Sequence, residues 1–412
     1  MERQYRFTKW GCFFSNSTMA LISILPPLLF LSFHQLYGIS YGQLGFLIFV
    51  NFSTQLIVDL LLSFWPDKLR PSFLLRLMPS LVLVGFSLYI ATPILFPNRV
   101  YPGLLAGTML FSSASGISEV LITPVVAALP CEDPQREISF LHSMFAWTEV
   151  LIVLVCTAFF VLMDSTHWYL LVLLWLFLPF FTLIFFCMGR VPALGSSEPS
   201  EHSGSICKQP LFILCCLCML TAGATECTMS QWSSSYLEQA LHIPKMLGDL
   251  FGVALFALML GVGRSLYTKY GSNLRRWLIM GTAGSVVCYL FAAFTLNPLI
   301  GLASCAMTGF CVSMLWPGTL ILLTDYFPAA GVTAFAFMAA GGDLGASLGP
   351  QLIGLITDSA LRTPQLIELA GQLNLSPDQL GLKLGLLLAA LFPLTGLVFY
   401  HFLKKPHVKT TV

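Results

Sequence analysis

The sequence predicts an all-α membrane protein of twelve transmembrane helices in two halves of six, and three observations carry that reading. Hydrophobic residues make up 57% of the 412 and charged residues 9%, against roughly 25% charged in soluble domains. Apolar segments of bilayer-crossing length, about 20 residues, recur along the whole chain. The longest polar break, RVPALGSSEPSEHSGSICKQ (190–209), falls near the middle.

The first span, 10–33, follows the basic stretch MERQYRFTKW. Its apolar run continues to Phe33 without a convincing cleavage site, so it reads as a retained helix rather than a signal peptide. Spans at 43–65 and 72–95 flank the charged loop SFWPDKLRPS, and spans at 103–129, 139–163 and 168–189 complete a first domain, 1–189. Residues 190–209 form a polar Gly/Ser/Pro-bearing loop. A second domain, 210–412, holds spans at 210–236, 247–267, 276–295, 298–327, 329–357 and 384–403. A long loop, 358–383, precedes the last of them, and its LIELAGQL piece reads as a short surface helix.

Basic residues favour the cytoplasmic side of a membrane. With both termini inside, sixteen of the twenty Lys and Arg fall inside and only Arg99, Lys245, Arg362 and Lys383 fall outside. The central loop is then cytoplasmic, and the chain reads as a multi-pass protein of the plasma membrane. A net charge of +1 gives no nucleic-acid footprint. Among the twelve cysteines, Cys12, Cys156, Cys187, Cys215, Cys216 and Cys218 lie at lipid depth. Cys215 and Cys218 have CxxC spacing, but nothing completes a zinc site, so these six read as small buried hydrophobes. No metal or cofactor is expected.

The stretch that points to function is GISEVLITPVVAALP, Gly116 to Pro130. Glu119 lies well inside an apolar span, on one helical face with Ser112, Ser115 and Thr123. An ionised carboxylate at the bilayer centre costs about 3 kcal/mol on insertion scales. Glu119 is therefore expected to be neutral, paired or facing a wet cavity, and the bland alternative is a staple to a neighbouring helix. Asn51, Gln55 and Asp59 form an i, i+4, i+8 stripe on the second span, which reads as interhelical hydrogen bonding. His142 and Glu149, seven apart, share a face of the fifth span; His142 reads as internally bonded, and Glu149, deeper, as a candidate proton carrier. Glu226 sits in TAGATECTMSQWSSSYLE, whose polar residues wrap most of the helix, so at least one side must meet water or solute. Asp343 lies among Gly341, Gly342, Gly345 and Gly349, small residues at four-residue spacing that let helices approach closely.

Two six-helix halves with a central cytoplasmic loop resemble the major facilitator superfamily. Asp67, Lys68 and Arg70 match the charges of that family's loop motif between the second and third spans, with Leu69 and Pro71 departing from it; Gly263, Arg264, Lys269 and Gly271 stand in the matching loop of the second half. The sharper resemblance is to fucose/sugar–proton symporters. It rests on Glu119 with Pro124 five residues on, and on NFSTQLIVDLL (51–61), FLHSMFAW (140–147), ATECTMSQW (224–232), WPGT (316–319) and GGDLGASLGP (341–350). The first-span aspartate of those symporters has no counterpart in ALISILPPLL, where Asn16 is the strongly polar residue on that face.

The resemblance implies a fold of two pseudo-symmetric bundles whose first, fourth, seventh and tenth helices line a central cavity. It implies a secondary transporter, not an enzyme, that moves a small sugar-like solute by proton symport. Glu119, Glu226 and Glu149 are then the proton-coupling candidates. Asn16, Glu119, Glu226, Gln231, Trp232 and Trp316 are the substrate candidates, with an interfacial belt position as the other reading of Trp232. Asp59, Asp67, Arg264, Pro317, Asp343, Gly345 and Gly349 are structural or gating candidates, and the fifth and eleventh spans being equivalent places Glu149 and Asp343 in related positions. The expected partners are solute, protons and the lipid bilayer, and the chain is expected to be a monomer. Sodium coupling, another solute, or a transporter-like sensor are the rival readings. The chain lacks HExxH and Walker-type phosphate-loop motifs.

Overall fold

The computed structural model describes residues 3–64, 70–130, 134–192, 209–271, 273–327 and 332–403. Asp67 of the charged loop and most of the central segment fall outside the described residues, as does the side chain of His142. The described residues form helices joined by short connections: α1 (Arg3–Tyr37), α2 (Tyr41–Phe64), α3 (Pro71–Leu95), α4 (Val100–Ala127) and α5 (Pro134–Leu162). Then come α6 (Trp168–Trp175, continuing as Phe177–Met188), α7 (Pro210–Leu241), α8 (Lys245–Gly248, a π-type turn Asp249–Ala254, then Leu255–Tyr270) and α9 (Leu274–Phe294). The chain ends with α10 (Pro298–Val312, then Leu315–Tyr326), α11 (Val332–Arg362), a short helix Pro364–Gln372, and α12 (Pro377–Ala389, then Leu391–Phe402).

Ten of these helical segments are long and apolar enough to cross a membrane. α5 and α11 are as long, 29 and 31 residues; α5 is apolar from Trp147 to Leu162, and α11 carries an aspartate and several glycines in its span. The helical boundaries differ from the expected spans where polar residues had argued for loop. The stretch 377–383 is not loop but the first turns of α12, opened by a capping box in which Ser376 and Gln379 bond reciprocally to each other's backbone N–H. Likewise α11 runs on to Arg362 rather than ending near 357.

The packing repeats with a shift of six helices. α1 packs on α5 and α6 as α7 packs on α11 and α12, and α4 packs on α2 and α3 as α10 packs on α8 and α9. Three seams join the halves: α2 with α11, α5 with the start of α8, and α1 with α7. Apolar side chains such as Phe73, Ile94, Leu162 and Phe294 point outward, where lipid would solvate them, while Phe33, Tyr89, Phe111 and Trp168 fill the interior of the first half.

In a bundle without a hydrophobic driving force between helices, close backbone approach does much of the holding. The α7–α11 contact shows how. A Cβ on Gly345 would lie 1.9 Å from Leu220 O, and one on Gly349 2.1 Å from Thr228 Oγ1. The small-residue stripe in α11 is thus pressed on α7.

Candidate functional site

The site is assembled from α2, α4 and α11. Ser112 and Glu119 of the α4 stripe turn toward α2, whose own polar stripe meets them. Ser112 Oγ donates to Asn51 Oδ1 at 2.5 Å, and Gln55 Nε2 donates to Glu119 Oε2 at 2.6 Å. One turn on, Gly116 makes room for Asp59, whose Oδ1 would stand 2.7 Å from any Cβ there. Asp343 comes in from α11, in the other half. Carboxylate oxygens of Asp59, Glu119 and Asp343 all lie within 4.8 Å of one another.

The environments of the three differ. Asp343 is 2% exposed and Asp59 7%, whereas Glu119 is exposed although it sits within a membrane helix. Asp59 Oδ1 and Asp343 Oδ2 are buried with no hydrogen-bond partner among the described residues, and none of the ion pairs among those residues involves the trio. Three acids so close repel when ionised; the arrangement is built to receive positive charge.

A second group is formed by α5, α7 and α8. Glu149 on α5 and Glu226 on α7 are half-buried, within electrostatic reach of each other and of Arg264 on α8. Glu226 Oε2 is buried without a hydrogen-bond partner among the described residues. Arg264 has a second task. Pro317 lacks the N–H that would bond to Ser313 O four residues earlier, α10 is interrupted between Val312 and Leu315, and Arg264 Nε donates to that freed carbonyl at 3.1 Å. Trp316, next to the proline, is half-buried with its indole against Gly342, where a Cβ would come within 2.4 Å of the ring.

Three of the substrate candidates are bonded within the protein in this conformation. Asn16 is buried, and its Nδ2 donates to Leu141 O on α5 at 2.6 Å. Trp232 is not an interfacial belt residue: it is 1% exposed, with Nε1 donating to Pro350 O at 2.9 Å and its ring beside Phe30 and Tyr41. Gln231 is buried too, and its Nε2 reaches across the halves to Ser23 O at 3.3 Å. The fifth and eleventh helices hold equivalent places in the two halves, as expected, and Asp343 of α11 meets Glu119 and Asp59. Of the cysteines, Cys187 is exposed rather than buried.

Gln231 belongs to a set of bonds that close one end of the bundle, the end away from Arg3 and Leu403. Lys245 Nζ donates to Leu28 O at 3.0 Å, Ser40 Oγ to Asp358 Oδ2 at 2.6 Å, and Gln351 Nε2 to Gly42 O at 3.5 Å. Beneath them Pro26, Pro27, Phe30, Asn51, Thr108 and Gln231 surround a space for about one water molecule. A sugar does not fit there. Glu119 lies nearer the opposite end, in the last third of α4.

The profile of the Major Facilitator Superfamily matches residues 11–350. No curated protein matches the chain. Solved structures resemble it over nearly its whole length at low identity. A bacterial homologue of the human lysosomal transporter Spinster, in an inward-facing and occupied conformation, has a TM-score of 0.76 and 12% identity, covering 98% of this chain and 97% of the other. The nucleoside transporter NupG has a TM-score of 0.70 and 10% identity, with coverage of 97% and 100%. A D-xylose–proton symporter has a TM-score of 0.69 and 14% identity, with coverage of 94% and 96%. These likenesses establish the fold, and the profile match over most of the length, together with the six-plus-six packing, establishes that the chain belongs to the major facilitator superfamily.

Proposed function

We propose that this protein is a secondary active transporter that carries a small polar solute, a sugar or polyol, together with protons by alternating access of its two halves. The observation that carries the reading is Glu119: an exposed carboxylate deep in a membrane helix, on a polar stripe, beside the seam between the halves. A charge there is expensive unless wetted or neutralised, so the group can hand a proton to water when exposed and carry it when enclosed. Similarity to a structure of a D-xylose–proton symporter supports a sugar and a proton as cargo. The quoted motifs support a place in the fucose/sugar–proton symporter branch.

In this reading residues 1–189 and 210–412 are the moving halves, joined by the cytoplasmic loop 190–209, in a monomer of the plasma membrane with both termini inside. Glu226 and Glu149 share the proton path, Glu226 and Trp316 face solute with Glu119, and Arg264 and Pro317 set the shape of α10.

A stability screen of the purified protein against sugars and polyols identifies the solute, and its uptake into proteoliposomes tests transport. Glu119→Gln mimics the neutral carboxyl and keeps the Gln55 contact. It is expected to abolish accumulation driven by a proton gradient, and the alkalinisation that accompanies uptake, while solute exchange across the membrane continues. A Glu119→Gln protein that still couples protons at the wild-type ratio overturns the reading; binding without any uptake identifies a sensor instead.

A further inference from the structure

We propose that the coupling proton is held not by Glu119 alone but by a single site shared among Asp59, Glu119 and Asp343, completed across the seam between the halves. This rests on the proton-coupled reading above and adds two residues and a second half to it.

The geometry carries the argument. Carboxylate oxygens of all three residues lie within 4.8 Å of one another, so a bridging proton, alone or through a water, reaches any pair with little side-chain movement. Two of the three are more than nine-tenths buried, and each has an oxygen without a hydrogen-bond partner among the described residues. A buried acceptor without a donor costs stability. A proton placed between two carboxylates supplies the missing donor to one while cancelling one of the repelling charges. The polar and titratable groups within reach among the described residues are Gln55 on α2, the three acids themselves, and Cys227 on α7, the helix packed behind α11. No cation among them offsets the acids.

The division of labour follows from exposure and from which half supplies each acid. Glu119 is exposed and is where the proton enters or leaves; Asp59 and Asp343 are enclosed and are where it rests. Asp59 and Glu119 belong to the first half and Asp343 to the second. Any motion that shifts α11 against α2 and α4 changes the distances within the trio, and with them how firmly a proton is shared. Affinity for the proton therefore depends on conformation, which is what coupling requires. A carboxylate confined to one half would lack that property.

The test needs no solute. Infrared difference spectra between acid and alkaline buffer are recorded on the full chain in lipid, in H2O and D2O, with sodium replaced by N-methylglucamine. Wild type is compared with Asp59→Asn, Glu119→Gln and Asp343→Asn, and with Glu368→Gln, an exposed acid on the short helix Pro364–Gln372, as a control. The expected result is that each of the three variants alters the carboxylic C=O signal of the other two acids, while Glu368→Gln leaves it unchanged. Three independent signals, each removed by its own variant alone, overturn the shared site. A signal in wild type suppressed by restoring sodium at constant pH assigns the site to a metal cation and also overturns the proposal. The sodium arm uses wild type only, so a variant that fails to fold does not decide the outcome. Vesicle uptake reports separately on transport: spectra that show sharing in a protein that does not accumulate solute would refute the transport reading and leave the shared site standing.

Discussion

At the scale of single residues, the side chains that the sequence could not place are those whose partner is far away in the chain. Asp343 was visible as an acid among glycines, yet nothing local says that it meets Glu119, 224 positions earlier, rather than Glu149. Asn16 was visible as a polar residue on a membrane face, and its partner turned out to be a backbone carbonyl, which no sequence pattern marks. Arg264 was visible through a loop motif, and its hydrogen bond to the carbonyl freed by Pro317 became clear only when α8 and α10 were side by side. That bond makes a prediction. Hydrogen bonds from charged groups contribute about 1.5–3 kcal/mol, so Arg264→Ala should lower unfolding stability by about that much. With Pro317→Ala in place, the alanine N–H can bond to Ser313 O itself, and the cost of removing the guanidinium should shrink. Thermal unfolding of the two single variants and the double variant measures the difference. Additive effects would mean that Arg264 stabilises the protein through something other than the broken helix.

At the scale of helices much more was legible, because hydropathy and length fix where a chain can cross a bilayer. The errors fall at helix ends. The stretch SPDQ before α12 reads as polar, yet it is also a serine followed three residues later by glutamine, a capping signal that hydropathy overrode. The glycines of α11 are a pattern the sequence displays, and the structure supplies the helix they press against, α7. Replacing Gly345 with alanine would put a methyl 1.9 Å from Leu220 O, and that atom is backbone, so the helices must separate. We expect a loss of stability of several kcal/mol by analogy with overpacked cores, where about 1–3 kcal/mol is usual when only side chains yield. Gly261 in α8 is the contrast: no atom lies within 4 Å of its Cβ position, and alanine there should gain up to about 1 kcal/mol through helix propensity. Denaturation of both variants in one detergent checks the pair, and a tolerated Gly345→Ala would show that α7 and α11 are not held at backbone contact.

At the scale of the whole molecule, the direct hydrogen bonds that cross between the halves, among the described residues, gather toward one end of the bundle, and this asymmetry defines the conformation. Closure there comes from three places at once: Lys245 of α8 bonded to α1, Gln231 of α7 bonded to α1, and the start of α2 against the end of α11, where a Cβ on Gly354 would lie 2.3 Å from Tyr41 O. For alternating access these contacts must break when the opposite end closes, so fixing them should stop the cycle without disturbing the fold. Ser40 and Asp358 offer the place. Their side chains meet at 2.6 Å, on loop and helix end rather than inside the bundle. We therefore expect the double variant Ser40→Cys, Asp358→Cys, treated with a short bifunctional thiol reagent that forms a reducible link, to become cross-linked in high yield. Uptake into proteoliposomes should then fall to background and recover on reduction, whereas each single cysteine variant should keep transporting after the same treatment. The unfolding temperature should not fall on cross-linking, since the link reproduces a contact already present. If cross-linked protein transports at the uncrosslinked rate, the contacts at this end do not need to open and the rocking of the two halves about the α2–α11 and α5–α8 seams is the wrong description. If the link fails to form, Ser40 and Asp358 are apart for most of the cycle, and the closed end described by the hydrogen bonds is a minor state.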